Sequence, residues 1–117
     1  MDDATEICNA ISRYCRGVDD RDFDELTAIL AEDVVFDMGV KTTTSRAELF
    51  DHMAENLWPK GKHVYVTPVI SMNGDSALFL SDWFWLDPDK VVGNWGRYSA
   101  DLRRTPSCWV ITALRLV

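Results

Sequence analysis

Basic charge is in short supply. Twelve Lys and Arg face nineteen Asp and Glu in 117 residues, a net charge of −7, and no basic run exceeds the pair Arg103-Arg104. Such a surface repels a phosphate backbone, so nucleic acid is not an expected partner. Long hydrophobic runs are absent as well: no uncharged stretch approaches the roughly 20 residues of a membrane-spanning helix, and the chain opens on Asp2-Asp3 instead of a basic leader. No membrane partner is expected, and the chain reads as cytoplasmic. Cysteine is sparse and odd in number, at 8, 15 and 108, with no C-x-x-C pair and no histidine at zinc-ligand spacing. On a helix rising ~1.5 Å per residue, Cys8 and Cys15 would stand ~10 Å apart, beyond disulfide reach, so three buried thiols are expected. Phosphate loops, H-E-x-x-H and G-x-S-x-G are missing too. Their absence removes most cofactor and metal enzymes, and neither a cofactor nor a metal is expected.

What is present suits a folded chain. Apolar residues make up 47% and charged residues 26%, inside the globular range. Surface scaling gives roughly 6,400 Å² exposed when folded against roughly 19,000 Å² unfolded, enough for one core. No repeat, low-complexity tract or linker interrupts residues 1–117, so a single domain is expected.

The first half reads as helical. Ile7, Ala10, Ile11, Tyr14, Cys15 and Val18 follow helical spacing, with Asp3 and Glu6 placed as a capping-box variant. Asp22 with Glu25 repeats that geometry ahead of a short apolar face, Phe23, Leu26, Ile29 and Leu30. Ser45 with Glu48 repeats it again before Leu49, Phe50, Met53 and Leu57, with Pro59 and Gly61 as the stop. Between the second and third helices, Val34-Val35-Phe36 predicts a short buried strand ended near Gly39.

From residue 62 the period changes to two, predicting strands at about 62–72, 76–87, 94–104 and 107–116. Asn73-Gly74 suits a tight hairpin turn, and Thr105-Pro106-Ser107 turns between the last pair. Helices segregated from a meander of strands indicate the α+β class. The second of these strands is apolar on both faces: Ala77, Phe79, Trp83 and Trp85 on one, Leu78, Leu80, Phe84 and Leu86 on the other. Helices cover one side of a sheet, so a second copy of the chain is expected on the other, as a homodimer.

Any chemistry must use ordinary side chains. His52, beside Asp51 and off the main apolar stripe of its helix, reads as a solvated histidine. His63 opens the first long strand and shares a mixed face with Tyr65, Thr67 and Val69, as a pocket-lining strand would; a structural histidine fits the same pattern. Asp19 projects about 100° from the centre of the first helical stripe, so it borders the core and can turn inward.

The order of these elements and their local wording resemble the nuclear transport factor 2-like superfamily, with its SnoaL-like cyclases, ketosteroid isomerase and scytalone dehydratase. The resemblance rests on Ile11-Ser12-Arg13-Tyr14, on Val18-Asp19-Asp20-Arg21-Asp22-Phe23-Asp24-Glu25-Leu26, and on Ala31-Glu32-Asp33-Val34-Val35-Phe36-Asp37. It continues through His63, Asn73-Gly74-Asp75-Ser76-Ala77, Gly96-Arg97-Tyr98 and Trp109-Val110-Ile111. It implies a cone-shaped, cystatin-like fold: three N-terminal helices packed on a strongly curved, mainly antiparallel sheet around a deep pocket.

Residue by residue, the resemblance implies that Asp19 and His63 stand where the dehydratase has its acid/base dyad. Asp101 stands where the dehydratase has a pocket asparagine and the isomerase an oxyanion-hole aspartic acid. Tyr14 matches the isomerase's first-helix tyrosine, with a core aromatic as the alternative. Met38 occupies the place of the isomerase's base, Val18 that of a dehydratase tyrosine, and Ser81 that of its second histidine. Phe36 and Trp83, with Trp58 and Trp95, would wall the cavity. The implied function is a cofactor-independent lyase or isomerase (dehydration, isomerisation or cyclisation) acting on a hydrophobic, polycyclic or aromatic carbonyl compound. Two other readings remain: a non-catalytic small-molecule-binding or assembly module, and an epoxide hydrolase using Asp101 with Arg97 or Arg103.

Overall fold

An acidic cap starts the first helix. The Asp2 side chain accepts the Thr5 backbone N–H at 2.8 Å, one residue ahead of the cap the sequence suggests, and α1 runs Asp3–Asp20. Arg21 closes it in the left-handed conformation (φ 54°), and the Asp22 amide returns to the Gly17 carbonyl at 2.8 Å. That reversal folds α2 (Phe23–Ile29), capped by Asp22, back against α1. A Cβ on Gly17 would meet the Leu26 side chain at 2.8 Å, so glycine sets how closely the two helices approach. The computed structural model describes residues 2–56, 61–89 and 91–116.

Strand β1 (Leu30–Asp37) leaves α2 directly. It is longer than the three residues expected, because it pairs in parallel with β6 (Trp109–Leu116) on one side and with β2 (Thr42–Thr43) on the other. Gly39, at φ +85°, makes the turn between β1 and β2. Helix α3 (Arg46–Glu55) is capped as predicted, with the Ser45 hydroxyl accepting the Glu48 amide and the Glu48 carboxylate accepting the Thr44 amide. Leu57, Trp58 and the stop signal Pro59 lie outside the described residues.

The long strands β3 (Lys62–Asn73), β4 (Ser76–Leu86), β5 (Val92–Arg104) and β6 form the meander, and the sheet order is β2-β1-β6-β5-β4-β3. Register breaks interrupt β1/β6, β3/β4, β4/β5 and β5/β6. Bulges of this kind bend a sheet, which lets it wrap the helices. The sharpest departure is in β3, where Thr67 adopts φ 51° ahead of Pro68, and two residues, Thr67 and Pro68, stand where β4 offers only Ser81. Proline cannot donate to a ladder, and β3 is an edge strand, where such a break is tolerated and discourages pairing with foreign strands. The bulge also corrects the expected face of β3. His63 and Tyr65 point inward, Thr67 and Val69 are exposed, and Ile70 takes over the inward position opposite Phe79.

Ile7 and Ile11 of α1, Leu26 and Ile29 of α2, and Phe79 and Trp109 of the sheet form the fully buried centre between helices and sheet. On the other side of the sheet, Leu78 and Leu80 keep more than a third of their surface in this single chain, and Trp95 keeps 72%. Of the three thiols only Cys15 is buried; Cys8 and Cys108 are half-buried, against the expectation of three buried thiols.

Arg104 ties the first turn of α1 to the sheet. It grips both Asp3 oxygens at 2.7 and 2.8 Å, reaches Asp75 at 3.1 Å, and lies over the Trp109 ring at 4.6 Å. The guanidinium holds the Asp3 carboxyl at about 2, below its ordinary 3.8. Because the folded value is depressed, this contribution to stability is full above about pH 4 and is lost as pH falls toward 2. Asp3→Asn should therefore flatten the dependence of urea-unfolding free energy on pH across that window. An unaltered slope would show that Asp3 is not among the groups driving acid unfolding.

Candidate functional site

Ile11, Cys15, Val18 and Asp19 fall on one stripe of α1, so the same helical spacing that buries three apolar groups carries a carboxylate inward at the last turn. Asp19 is only 8% exposed. Its charge is met by β3: the His63 backbone N–H donates to one carboxylate oxygen at 2.8 Å, and the His63 ring Nδ1 bonds the other. A carboxylate only accepts, so the Nδ1 proton lies between ring and carboxylate, and Nε2 keeps its lone pair in the neutral ring.

His63 faces open space. It lines a cavity of about 470 Å³ whose apolar wall includes Tyr14, Val18, Phe36, Met38, Leu49 and Met53. Trp83 and Trp85 form the opposite wall, with the Trp83 ring 6.5 Å from the His63 ring. Those indoles lie flat against the sheet because two glycines leave room. A Cβ on Gly93 would stand 2.5 Å from the Trp85 ring, and one on Gly96 would stand 3.1 Å from Trp83 Nε1. A smaller chamber of about 100 Å³ continues inward, sharing Tyr14, Phe36, His63 and Trp83 with the first and adding Cys15, Tyr98 and Leu114. His63 stands at the junction of the two.

Tyr98 is 6% exposed, and among the described residues its hydroxyl meets no oxygen or nitrogen partner, only the weakly bonding Cys15 thiol beside it. Burial pushes the Tyr14 and Tyr98 hydroxyls well above the ordinary tyrosine value and the Cys15 thiol up to about 12. All three stay protonated around neutrality.

The structure brings together Asp19, His63, Tyr14, Phe36, Met38 and Trp83. It does not bring Asp101 or Ser81 to them. Asp101 points to the outer sheet face and is bound by Arg115 at 2.6 Å, beside a hollow of about 590 Å³ that it lines with Arg103 and Thr112. The residues of the epoxide hydrolase reading lie on that outer face too: Arg97 pairs with Asp82, and Arg103 lines the same hollow as Asp101, apart from the cavity that holds His63. Ser81 is buried beneath the β3 bulge, its hydroxyl turned to the Val66 and Asp82 carbonyls, and it lines neither cavity. Trp95 is on the outer face and Trp58 lies outside the described residues.

Sequence reasoning missed Tyr98 and His52. His52 is half-buried and lines the 470 Å³ cavity, three residues beyond buried Leu49 on the same helix face. Among the described residues, no three His, Cys, Asp or Glu side chains converge in a way that could hold a metal, and no helix is long and apolar enough to cross a membrane.

Residues 1–115 match the SnoaL-like domain family. This chain belongs to that family. The SnoaL-like domain superposes on a cystatin-like-fold protein of unknown function from Nostoc punctiforme with a TM-score of 0.87 at 18% identity, covering 97% of this chain and 89% of that one. A Novosphingobium aromaticivorans protein provisionally named an aromatic ring hydroxylase is similar at 25% identity, with a TM-score of 0.80 and coverage of 97% and 87%. A Shewanella frigidimarina protein provisionally named a ketosteroid isomerase is similar at 17% identity, with a TM-score of 0.77 and coverage of 93% and 92%. No curated protein sequence matches the SnoaL-like domain described here. The likeness of the low-identity structures is one of fold: an α+β nuclear transport factor 2-like cone with three helices on a six-stranded, mainly antiparallel sheet.

Proposed function

We propose that this domain is a cofactor-independent lyase or isomerase acting on a hydrophobic carbonyl compound. The observation that carries this reading is the Asp19–His63 pair: a carboxylate orients an imidazole whose free nitrogen is available to an apolar cavity. In the reaction, His63 Nε2 takes the proton from a carbon next to the carbonyl, and the electron pair moves into a new double bond with charge on the oxygen. Tyr98, with Tyr14 close by, supplies the donor that Asp101 cannot, stabilising that oxygen. His63 then returns the proton to a more distant carbon, completing an isomerisation, or gives it to a departing β-hydroxyl, which leaves as water as the electron pair expels it. The aromatic walls suit flat substrates, and the provisional hydroxylase and isomerase names of the similar structures are consistent with cyclic ones.

The test is a screen of the purified protein against polycyclic ketones and β-hydroxyketones, following turnover by absorbance and binding by tryptophan fluorescence. Turnover that disappears in His63→Ala while binding persists supports the proposal. Turnover that survives His63→Ala overturns it. Binding of these compounds without turnover in the native protein would favour the alternative, a ligand-holding module.

We propose also that a second copy covers the outer sheet face. Leu78, Leu80, Val69 and Trp95 are exposed there beside two ion pairs, Asp82–Arg97 and Asp101–Arg115. A face carrying both signs of charge beside an apolar patch can match itself across a two-fold axis. Leu80→Glu should halve the mass seen in sedimentation equilibrium and leave the circular dichroism spectrum unchanged. A native protein that sediments as one chain would refute this.

A further inference from the structure

Two imidazoles border the larger cavity, and their hydrogen bonds fix opposite tautomers. His63 gives its Nδ1 edge to Asp19, leaving an acceptor at Nε2. His52 does the reverse. The Asn56 amide nitrogen, always a donor, lies 3.1 Å from His52 Nδ1 and 2.9 Å from the His52 carbonyl, so its two hydrogens serve both. With Nδ1 accepting, the His52 ring proton resides on Nε2. The two histidines also differ in place. His52 lines only the larger cavity and Tyr98 only the inner chamber, while His63, Tyr14, Phe36 and Trp83 border both. The order along the combined space is therefore donor, base, donor.

We propose that His52 is the specificity-determining donor for a second oxygen on the substrate, so that the site takes flat molecules oxygenated at both ends: one oxygen held by Tyr98 in the inner chamber, the other by His52 at the mouth. This rests on the cavity being the ligand site and assigns His52 no proton transfer. A substrate oxygenated at one end only leaves the His52 N–H without a partner when the cavity closes on it, and such a loss weakens binding.

The experiment uses two near-isosteric probes, 6-acetyl-2-naphthol and 6-isopropyl-2-naphthol, which differ in having or lacking the second oxygen. Affinities are read by quenching of the cavity tryptophans. The ratio of the two affinities should fall about fivefold to tenfold in His52→Phe, as expected for one neutral hydrogen bond. It should be largely kept in His52→Gln, which retains a donor, and partly lost in Asn56→Ala. Long-range proton–nitrogen spectra should show the His52 proton on Nε2. An unchanged ratio in His52→Phe, or a neutral His52 protonated on Nδ1, overturns the proposal. If neither probe binds the native protein, the cavity reading itself fails along with this one, whereas binding of both with a ratio indifferent to position 52 removes this inference alone.

Discussion

Replacing Asp19 by asparagine should lower turnover about a thousandfold or more while leaving the fold in place. Asp19 faces two donors, the His63 backbone N–H and ring Nδ1–H. A carboxylate accepts both, whereas a carboxamide has one oxygen and one NH₂ group. The backbone N–H cannot become an acceptor, so the amide oxygen must stay with it, or a buried donor is left unpaired at a cost of about 1–3 kcal/mol. The NH₂ then faces the ring, Nδ1 must accept, and the imidazole proton moves to Nε2. The base that faced the cavity is gone although every atom is close to its former position. The measurements are kcat on a substrate found by screening and the His63 tautomer by nitrogen chemical shift. A kcat within threefold of the native value would show that the tautomer of His63 does not matter to the reaction.

Phe79→Ala should cost about 3–5 kcal/mol of folding stability, the usual range for a large buried aromatic. Phe79 is fully buried in the middle of β4, with Ile70 and Ala100 as its cross-strand neighbours. Its ring meets Tyr65 edge-on at 5.6 Å and stacks on Tyr98 at 6.0 Å. Tyr65 is held by the Ser12 hydroxyl at 2.8 Å, so it cannot swing freely into the space left behind. The loss is a large share of the roughly 5–15 kcal/mol that holds a domain of this kind together. It should appear as a lower urea midpoint with an unchanged slope. A loss under about 1 kcal/mol would mean that Tyr98 collapses into the cavity. In that case the inner chamber would change shape, and the affinity for naphthols would report it.

Much of the site could be read before the fold was known, for reasons specific to each residue. The helical spacing of Ile11, Cys15 and Val18 carries Asp19 inward, and the alternation that opens β3 puts His63 beside Tyr65 on the inner face. Asp101 illustrates a signal overridden. In β5, Tyr98, Ala100 and Leu102 are buried and alternate with Arg97, Ser99, Asp101 and Arg103. That alternation points Asp101 outward and Tyr98 inward, against the position the family resemblance implies for Asp101. The neighbour of His52, Asp51, is exposed, but the distance of three residues from Leu49 turns His52 toward the buried side of α3. The β3 bulge had a local signal in Pro68, which cannot donate to the ladder, but which residue would absorb the extra length is decided by the partner strand. The length of β1 was beyond local reasoning, because its pairing with β6 joins segments about 80 residues apart.

The kink at Thr67-Pro68 divides the long hairpin into two mechanically separate parts. On one side, the odd-numbered His63 and Tyr65 face inward, His63 onto the cavity and Tyr65 onto the core; on the other, the even-numbered Ile70 serves the hydrophobic interior. A one-residue insertion or deletion near the Asn73-Gly74 tip can be taken up at this joint, without reversing the side chains that meet Asp19. The hairpin end can thus lengthen or shorten while the imidazole keeps its station against Asp19, so the outer rim of the sheet and the cavity floor answer to separate stretches of one strand.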